Sequence, residues 1–407
     1  MHLLFITDNF PPETNAAAIR TFEHAREWVK MGHTVTIVTG APNFPTGKVF
    51  EGYQNKLLQR EDLEGIRVVR VWTYIAANEG SVKRMIDFAS FMVTATFAGL
   101  FIKKPDMVIA TTPQFLTSIT GWILAKLKRR PFVLELRDLW PESIAAVGVI
   151  QRKRLYKTLK WVARFIYHRA DVIISVTHSF KRILIDMGIR GDKIHIITNG
   201  VHPDIMVSPQ NREEIRTQYG IPRDAFLVGY VGTFGLAHGL ATILEAARLI
   251  QNDHCLHFVL MGNGADKQHL TEQARARDLK NVTFLDRAPH QDAIDLLSTL
   301  DVALVLLKDL PLFESVIPSK LLEAMAQGKP VILGARGESL SIVNEHLCGI
   351  GIRPENIVDL SAAIRKLQAD RSACEIMGAN GKRAIKEKYD RVVLARTMIG
   401  IIQELRP

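Results

Sequence analysis

The amino-acid sequence predicts an α/β chain built from two doubly wound, Rossmann-like domains. Three observations carry that prediction. The chain has 407 residues, too many for one domain at roughly 150 residues each. Short, continuously apolar runs alternate with helix-period stretches, the pattern of parallel strands covered by helices on both faces. The alternation also comes in two series, separated by a polar, turn-rich stretch near residue 200.

The first series opens with Leu3–Ile6. Ala18, Phe22, Ala25 and Val29 then share one helical face, and Gly32 supplies the C-terminal stop. A strand at Thr34–Val38 follows, with further strands at Ile66–Val71, Met107–Ala110, Phe132–Leu136, Val172–Ser175 and Ile194–Thr198. Asn199-Gly200 is a turn signal, and Val201–Arg216 is polar and contains Pro203 and Pro209, which places a hinge near residue 200. The second series runs through Phe226–Val231, Leu256–Leu260, Val282–Leu285, Val302–Leu306 and Pro330–Leu333. The expected domains are 1–200 and 201–387, with a C-terminal helix of about 388–407 packing back on the first. Two such domains facing each other would form a cleft at the carboxyl ends of their strands, where open α/β sheets bind ligands.

Composition narrows the class. No run of about 18 apolar residues occurs, so no transmembrane helix is expected. The N-terminus, MHLLFITDNF, reads as a strand rather than a signal peptide. Cys255, Cys348 and Cys374 show no CxxC or metal spacing, and a reduced, cytosolic compartment is the default. Residues 1–190 hold 27 Lys and Arg against 16 Asp and Glu, whereas 191–407 hold 25 against 26, so the whole excess of +10 lies in the first half. A basic face suits nucleic acid, anionic lipid or an acidic substrate. His24, His33, His178, His202 and His238 form no HxxxH or HxH pair, and no metal site is expected. No GxSxG, P-loop lysine or nucleic-acid module appears.

Four segments have the residues for chemistry. In 318–331, Pro318-Ser319 opens a helix that Gly328 closes. A helix N-terminus offers free N–H groups and positive dipole to a phosphate, and Glu323, one turn after Ser319 and Lys320, lies on the same side, within reach of ribose hydroxyls. The alternative is an ordinary helix with a solvated Glu. In 230–240, a strand runs into Gly232-Thr233-Phe234-Gly235 and then a helix, bringing backbone close to a phosphate; tight turns use glycine for the same reason. Met261-Gly262-Asn263-Gly264 repeats the arrangement. In the first half, Asp8–Asn15 joins strand to helix, and Arg137, Asp138 and Glu142 cluster after another strand. Charges there need partners or a use, so either an ion network or a reacting centre is expected.

Together these segments resemble the retaining GT-B glycosyltransferases of family GT4 along nearly the whole chain. The resemblance lies in Pro11-Pro12-Glu13, Gly32-His33-Thr34-Val35, Arg137-Asp138-Leu139-Trp140-Pro141-Glu142-Ser143, Asn199-Gly200-Val201, Gly232–Gly235 and, most specifically, the 318–331 block. The combination of Arg137–Ser143 and Ile317–Glu323 is similar to bacterial enzymes of O-antigen, capsule or exopolysaccharide synthesis, near the fucosamine-transferase group. The resemblance implies a UDP-sugar held mainly by the second domain. Glu323 would hold the ribose, the amides of Ser319 and Lys320 and the Gly232, Thr233 and Gly235 loop the diphosphate, and Arg287 would border the base. Asn15, Ala16 and Ala17, with Arg137, Asp138 and Glu142, would serve the reacting centre, with the first domain binding a lipid-linked saccharide acceptor. Lys, Arg and N–H groups would stabilise the leaving diphosphate without a metal or other cofactor.

The chain departs from the family pattern in three places. Ser315 stands where the family has the first of two Glu, with Glu314 one place off; in the family that Glu contacts the donor sugar, so the departure leaves the sugar open, and the fucosamine-transferase resemblance alone implies an N-acetylated amino or deoxy sugar. Ala237-His238-Gly239 replaces a phosphate-binding Lys, with His238 or Lys320 as the substitute. Asn15-Ala16-Ala17 stands where glycines are usual. A non-catalytic nucleotide-sugar binder and a GT-B UDP-sugar epimerase are the rival readings, and nucleic acid is not an expected partner. Basic clusters at 126–130 and 152–164, and the nearly apolar stretch Ala89–Ile102, which either lies in a membrane interface or packs in the core, predict a peripheral enzyme. Its first domain would dock on anionic lipid at the cytoplasmic face of the membrane. Oligomeric state is not legible.

Overall fold

The computed structural model describes residues 1–44, 46–75, 81–142, 153–206 and 211–405. Ser143, Arg152 and Pro209, which the sequence singled out, lie outside them, as does the side chain of Leu155. The chain forms two units, Met1–Asn199 with Arg391–Pro407, and Gly200–Asp390. The second unit runs slightly past the expected limit of 387, because Tyr389 is buried in its core and its carbonyl accepts from Val201 N–H at 2.9 Å, while Asp390 bridges Val201.

The first unit comprises β1 (His2–Ile6), α1 (Ala16–Lys30), β2 (Thr34–Gly40), β3 (Leu58–Leu63), β4 (Ile66–Val71), α2 (Ser81–Leu100), β5 (Met107–Thr111), α3 (Phe115–Lys128), β6 (Phe132–Leu136), α4 (Lys153–Arg169), β7 (Val172–Ser175), α5 (His178–Asp186) and β8 (Ile194–Ile196). Its sheet has the order β3-β4-β2-β1-β5-β6-β7-β8, parallel except for β3 against β4. β3, with the sequence LQREDL, gave no sequence signal. It is an edge strand with no fully buried residue, so nothing selects an apolar run there. One sheet face is covered by α2, α3 and α4, which share a core of Phe91, Leu124, Ile166 and Tyr167 with Leu4 and Leu134. α2 packs one side of the 89–102 stretch into the core, with Phe91, Ala95 and Ala98 buried, and leaves Val93 and Phe97 exposed.

The second unit comprises α6 (Arg212–Gln218), β9 (Phe226–Val231), α7 (Ala241–Leu249), β10 (Leu256–Met261), α8 (Lys267–Ala276), β11 (Val282–Leu285), α9 (His290–Thr299), β12 (Val302–Leu306), α10 (Ser319–Ala326), β13 (Val331–Gly334), α11 (Glu338–His346), β14 (Gly349–Ile352), α12 (Ile357–Ala369) and α13 (Arg371–Lys388). Its sheet is all parallel, β11-β10-β9-β12-β13-β14. β14, with the sequence GIGI, is too short and glycine-rich to read in advance. The last helix, α14 (Arg391–Gln403), belongs to the first unit. It covers the other sheet face beside α1, where Trp28 Nε1 donates to the Ala395 carbonyl at 2.8 Å.

Candidate active site

Parallel strands deliver their following loops to one edge of a sheet, so in each unit the candidate residues collect at the carboxyl ends. In the second unit β9 runs into Gly232 and β10 into Gly262. These two loops are stacked backbone to backbone. Phe234 N–H donates to the Asn263 carbonyl at 2.9 Å, and Asp266 N–H donates to the Phe234 carbonyl at 3.0 Å. Gly262 has φ of +147°, and a Cβ there would lie 1.8 Å from the Gly232 carbonyl oxygen. Only glycine fits so close an approach.

Lys320, in the first turn of α10, reaches into this loop. Its Nζ donates to Tyr230 Oη at 2.6 Å, and Tyr230 in turn donates to the Thr233 carbonyl at 2.6 Å. A Cβ on Gly232 would sit 3.1 Å from the same ammonium. Burial pushes the Lys320 pKa down to about 8, with the nearby Glu323 carboxylate acting in the opposite direction. No side chain caps α10: its N-cap is Pro318, so the first-turn N–H groups, those of Ser319 and Lys320 among them, are not taken by a cap. Glu323 is half-buried one turn along the helix, and Ser319 is exposed. The unit therefore brings Gly232, Thr233, Gly235, His238, Ser319, Lys320 and Glu323 to one edge of its sheet, with the Lys320 ammonium against the glycine loop. Arg287 is exposed on the loop after β11.

His238 closes a 3-10 turn, Leu236–His238, before the left-handed Gly239 at φ +58°. Burial and the Lys320 charge lower its pKa to about 4. A neutral imidazole supplies no cation at pH 7, so His238 does not replace a lysine here; Lys320 brings its ammonium to the loop, and Lys267, paired with Asp286, holds the Gly262 carbonyl beside it at 2.8 Å. Ser315 is buried and donates to the Leu312 carbonyl at 3.0 Å, while the neighbouring Glu314 is exposed.

The first unit differs in character. Asn15 caps α1, its Oδ1 accepting from Ala18 N–H at 2.9 Å and its Nδ2 donating to Asn9 at 2.7 Å, so Ala16 and Ala17 are the first helical residues. Glu13 is buried and takes the N–H groups of Asn43 and Phe44, each at 2.8 Å, which fastens the loop after β2. Behind them Arg20 and Glu135, each 1% exposed, pair at 2.8 Å, and Arg20 also holds the carbonyls of Ile197 and Thr198. Arg137 follows β6, with its own N–H and that of Asp138 on Thr112 Oγ1. Its Nε and Nη1 are buried without a hydrogen-bond partner among the described residues. Burial lowers its pKa to about 10 against the pull of Glu135 and Asp8. Glu142 pairs with Lys160 at 3.4 Å, while the carboxylates of Glu135 and Asp8 act on the Arg137 guanidinium. Two acids missing from the sequence-based set join this edge. Burial raises the pKa of Asp8, and burial with the Asp8 charge raises that of Asp87 on α2 to about 6. Tyr230 was missed as well; its only sequence signal is a phenol placed two residues before a phosphate-type glycine turn. No group of three or more potential metal ligands occurs among the described residues.

Residues 15–200 match the family described as the glycosyl transferase 4-like domain, and residues 211–384 match glycosyl transferases group 1. The chain belongs to the GT4-type, GT-B glycosyltransferases. The Escherichia coli protein named as the colanic acid biosynthesis glycosyl transferase WcaI is 26% identical over 90% of this chain and 92% of its own. D-rhamnosyltransferase WbpZ of Pseudomonas aeruginosa is 29% identical over 58% of this chain and 59% of its own. The crystal structure of Anabaena HepE in complex with UDP and glucose superposes with a TM-score of 0.74, at 20% identity, covering all of both chains. The glycosyltransferase thus carries this fold in both of its units.

Proposed function

We propose that the enzyme transfers a sugar from a UDP-sugar to a lipid-linked saccharide, with retention of configuration, in the synthesis of a bacterial surface polysaccharide at the cytoplasmic face of the membrane. The observation that carries the donor assignment is the Lys320 ammonium, held by Tyr230 against the Gly232 loop at the uncapped start of α10, with Glu323 one turn on. That set matches a nucleoside diphosphate: N–H groups and one cation for the phosphates, a carboxylate for the ribose hydroxyls. The complexes of HepE with UDP and with UDP-glucose support the choice of nucleotide. The names of WcaI and WbpZ support the polysaccharide context.

In transfer the diphosphate leaves with the bonding electrons of the anomeric carbon–oxygen bond, and its negative charge grows. Lys320 and the amides of Ser319, Lys320, Thr233 and Gly235 stabilise that charge in place, a metal not being required; the Gly232 and Phe234 amides are spent on the Met261 and Asn263 carbonyls. His238, neutral beside them, donates or accepts a hydrogen bond without adding charge. An N-acetylated amino or deoxy sugar is the donor sugar we favour, and the D-rhamnosyltransferase name of WbpZ supports the deoxy choice. The first unit takes the acceptor, with Arg137, Asp138 and Glu142 at its reactive edge.

Thermal unfolding against a panel of nucleotide sugars tests the reading directly. A ligand at 100 times its Kd adds about 2.7 kcal/mol of stability. UDP and one UDP-sugar are expected to stabilise, GDP- and ADP-sugars are not, and NMR of the product is expected to show the donor's anomeric configuration. Stabilisation by GDP-sugars alone refutes the UDP assignment, and an inverted product refutes retention.

A further inference from the structure

The outward surface of the α2–α3–α4 layer takes no part in the chemistry above, and its composition is not that of an ordinary solvent face. Along α2, opposite the buried Phe91, Ala95 and Ala98, stand Met85, Val93, Phe97 and, just past the helix, Phe101. Val93, Phe97 and Phe101 follow a four-residue spacing and form a stripe along the end of the helix, with Met85 two turns before Val93. Val93, Phe97 and Phe101 are 62%, 65% and 68% exposed, and the two phenyl rings meet edge to face with centroids 5.1 Å apart. Scattered exposed apolar side chains are normal, whereas a continuous bulky stripe marks an interaction surface.

Cations surround the stripe. Lys83 and Arg84 precede it, and Lys103 and Lys104 follow it. Lys128 of α3 donates to the carbonyls of Leu100 and Ile102, at 3.0 and 2.8 Å, tying a charge to the end of α2. An aromatic run then crosses to α4: Trp122 meets Phe165 at 5.1 Å, and Phe165 meets Trp161 at 6.1 Å. Lys126 lies over the Trp122 ring and Arg169 over that of Phe165. Trp161 is 68% exposed, and Lys157 and Arg164 beside it are exposed.

We propose that this face docks on a bilayer containing anionic lipid, with Phe97 and Phe101 inserted below the headgroups and the α4 cations on them. This rests on the lipid-linked acceptor reading and adds the face and the mode of attachment. Aromatic rings at the boundary between an apolar stripe and long cationic side chains are what a membrane interface selects. A second copy of the chain is disfavoured, since it would bring like charges together around the stripe. Attachment then has two parts: an electrostatic one that salt screens, and an inserted one that salt leaves.

The experiment sediments the full chain with vesicles of phosphatidylcholine, with and without phosphatidylglycerol. At about 0.05 M salt the wild type binds the anionic vesicles, and at about 0.5 M the partition coefficient falls roughly tenfold to a measurable remainder. Phe97→Ser/Phe101→Ser removes that remainder and lowers binding at both salts by about tenfold or more. Lys157→Glu/Arg164→Glu removes most of the salt-dependent part and keeps the remainder. All four side chains are exposed, so circular dichroism is expected to be unchanged. UDP affinity is expected to be unchanged in both variants, which separates docking from the donor site. Loss of vesicle binding with UDP binding intact supports the proposal, and vesicle binding in a chain that fails to bind UDP overturns the donor reading alone. The docking proposal is overturned if the phenylalanine variant sediments like the wild type, if neutral vesicles bind equally well, or if the stripe instead supports a concentration-dependent dimer that the same variant dissolves.

Discussion

The candidate edges of the two units are built from different materials. In the second unit the contacts are mostly backbone: two stacked glycine loops, the start of α10, and one ammonium whose phenolic partner is itself anchored on a carbonyl. In the first unit they are buried side-chain charges: Arg137, two of whose nitrogens have no hydrogen-bond partner among the described residues, and Asp8 and Asp87, whose pKa values burial raises. A backbone site is rigid and suits a ligand part that never varies, the diphosphate. Unpaired charges cost stability in the free protein and are worth keeping where a reacting group arrives to use them.

The comparison breaks first at Arg137. If its buried charge is kept for function, Arg137→Met lowers turnover by about 10²–10³, the size of effect seen when one preorganised charge-stabilising donor is lost. The thermal midpoint is expected to hold or rise, because a desolvated cation is removed while Glu135 keeps Arg20. A large fall in stability with normal turnover per folded molecule assigns Arg137 to architecture instead. Next in size is Glu323→Gln in the other unit. Losing one charge-assisted hydrogen bond of roughly 1.5–3 kcal/mol weakens UDP about tenfold or more. Titration calorimetry reads it, and an unchanged Kd removes the ribose assignment.

What could be read in advance follows the same division. The strands of both sheets were legible because burial on two faces forces continuous apolar runs, as in Leu3–Ile6 and Val302–Leu306. The glycine loops and the start of α10 were legible because backbone sites need particular residues at fixed spacing. Edge strand β3, buried on neither face, left no such trace. Nor did the charge pairings of the first unit: Arg20 and Glu135 are 115 positions apart in sequence, and nothing local marks Glu135 as its partner. At the end of β6 the sequence left a reacting centre or an Arg137–Asp138–Glu142 ion network open, and nothing local marks Lys160 as the partner of Glu142.

A third test uses the Lys320 proton to sharpen the contrast. Its pKa falls from an ordinary 10.5 to about 8 on burial. Between those values the unfolded chain holds the proton that the folded chain has released, so this group makes stability rise as pH increases from about 8 to 10.5. Diphosphate prefers the ammonium, so UDP affinity moves the other way, several-fold weaker at pH 9 than at pH 7, and binding takes up a proton near pH 8. Lys320→Met removes this pH dependence along with much of the affinity. A UDP affinity flat from pH 7 to 9 in the wild type shows that the ammonium does not meet the phosphates.

The smallest effect is the most diagnostic, because it asks whether a residue that is not expected to touch the ligand sets the geometry of one that does. Tyr230 accepts from Lys320 and donates to the Thr233 carbonyl, both at 2.6 Å. Burial raises its pKa, so it remains a phenol throughout the working range. Tyr230→Phe keeps the ring, and with it the edge-to-face contact with Phe234 at 5.8 Å. What is lost is the anchor: Lys320 gives up its fixed acceptor and the loop carbonyl its donor. A neutral hydrogen bond is worth about 0.5–1.5 kcal/mol and one to a charged group about twice that, so UDP affinity is expected to fall about fivefold. An ammonium stripped of its acceptor in the same burial is also harder to keep charged, so the midpoint of the affinity–pH curve shifts below that of the wild type. A merely structural phenol would lower stability and leave that midpoint in place. The displaced midpoint is therefore the result that identifies Tyr230 as the group positioning Lys320.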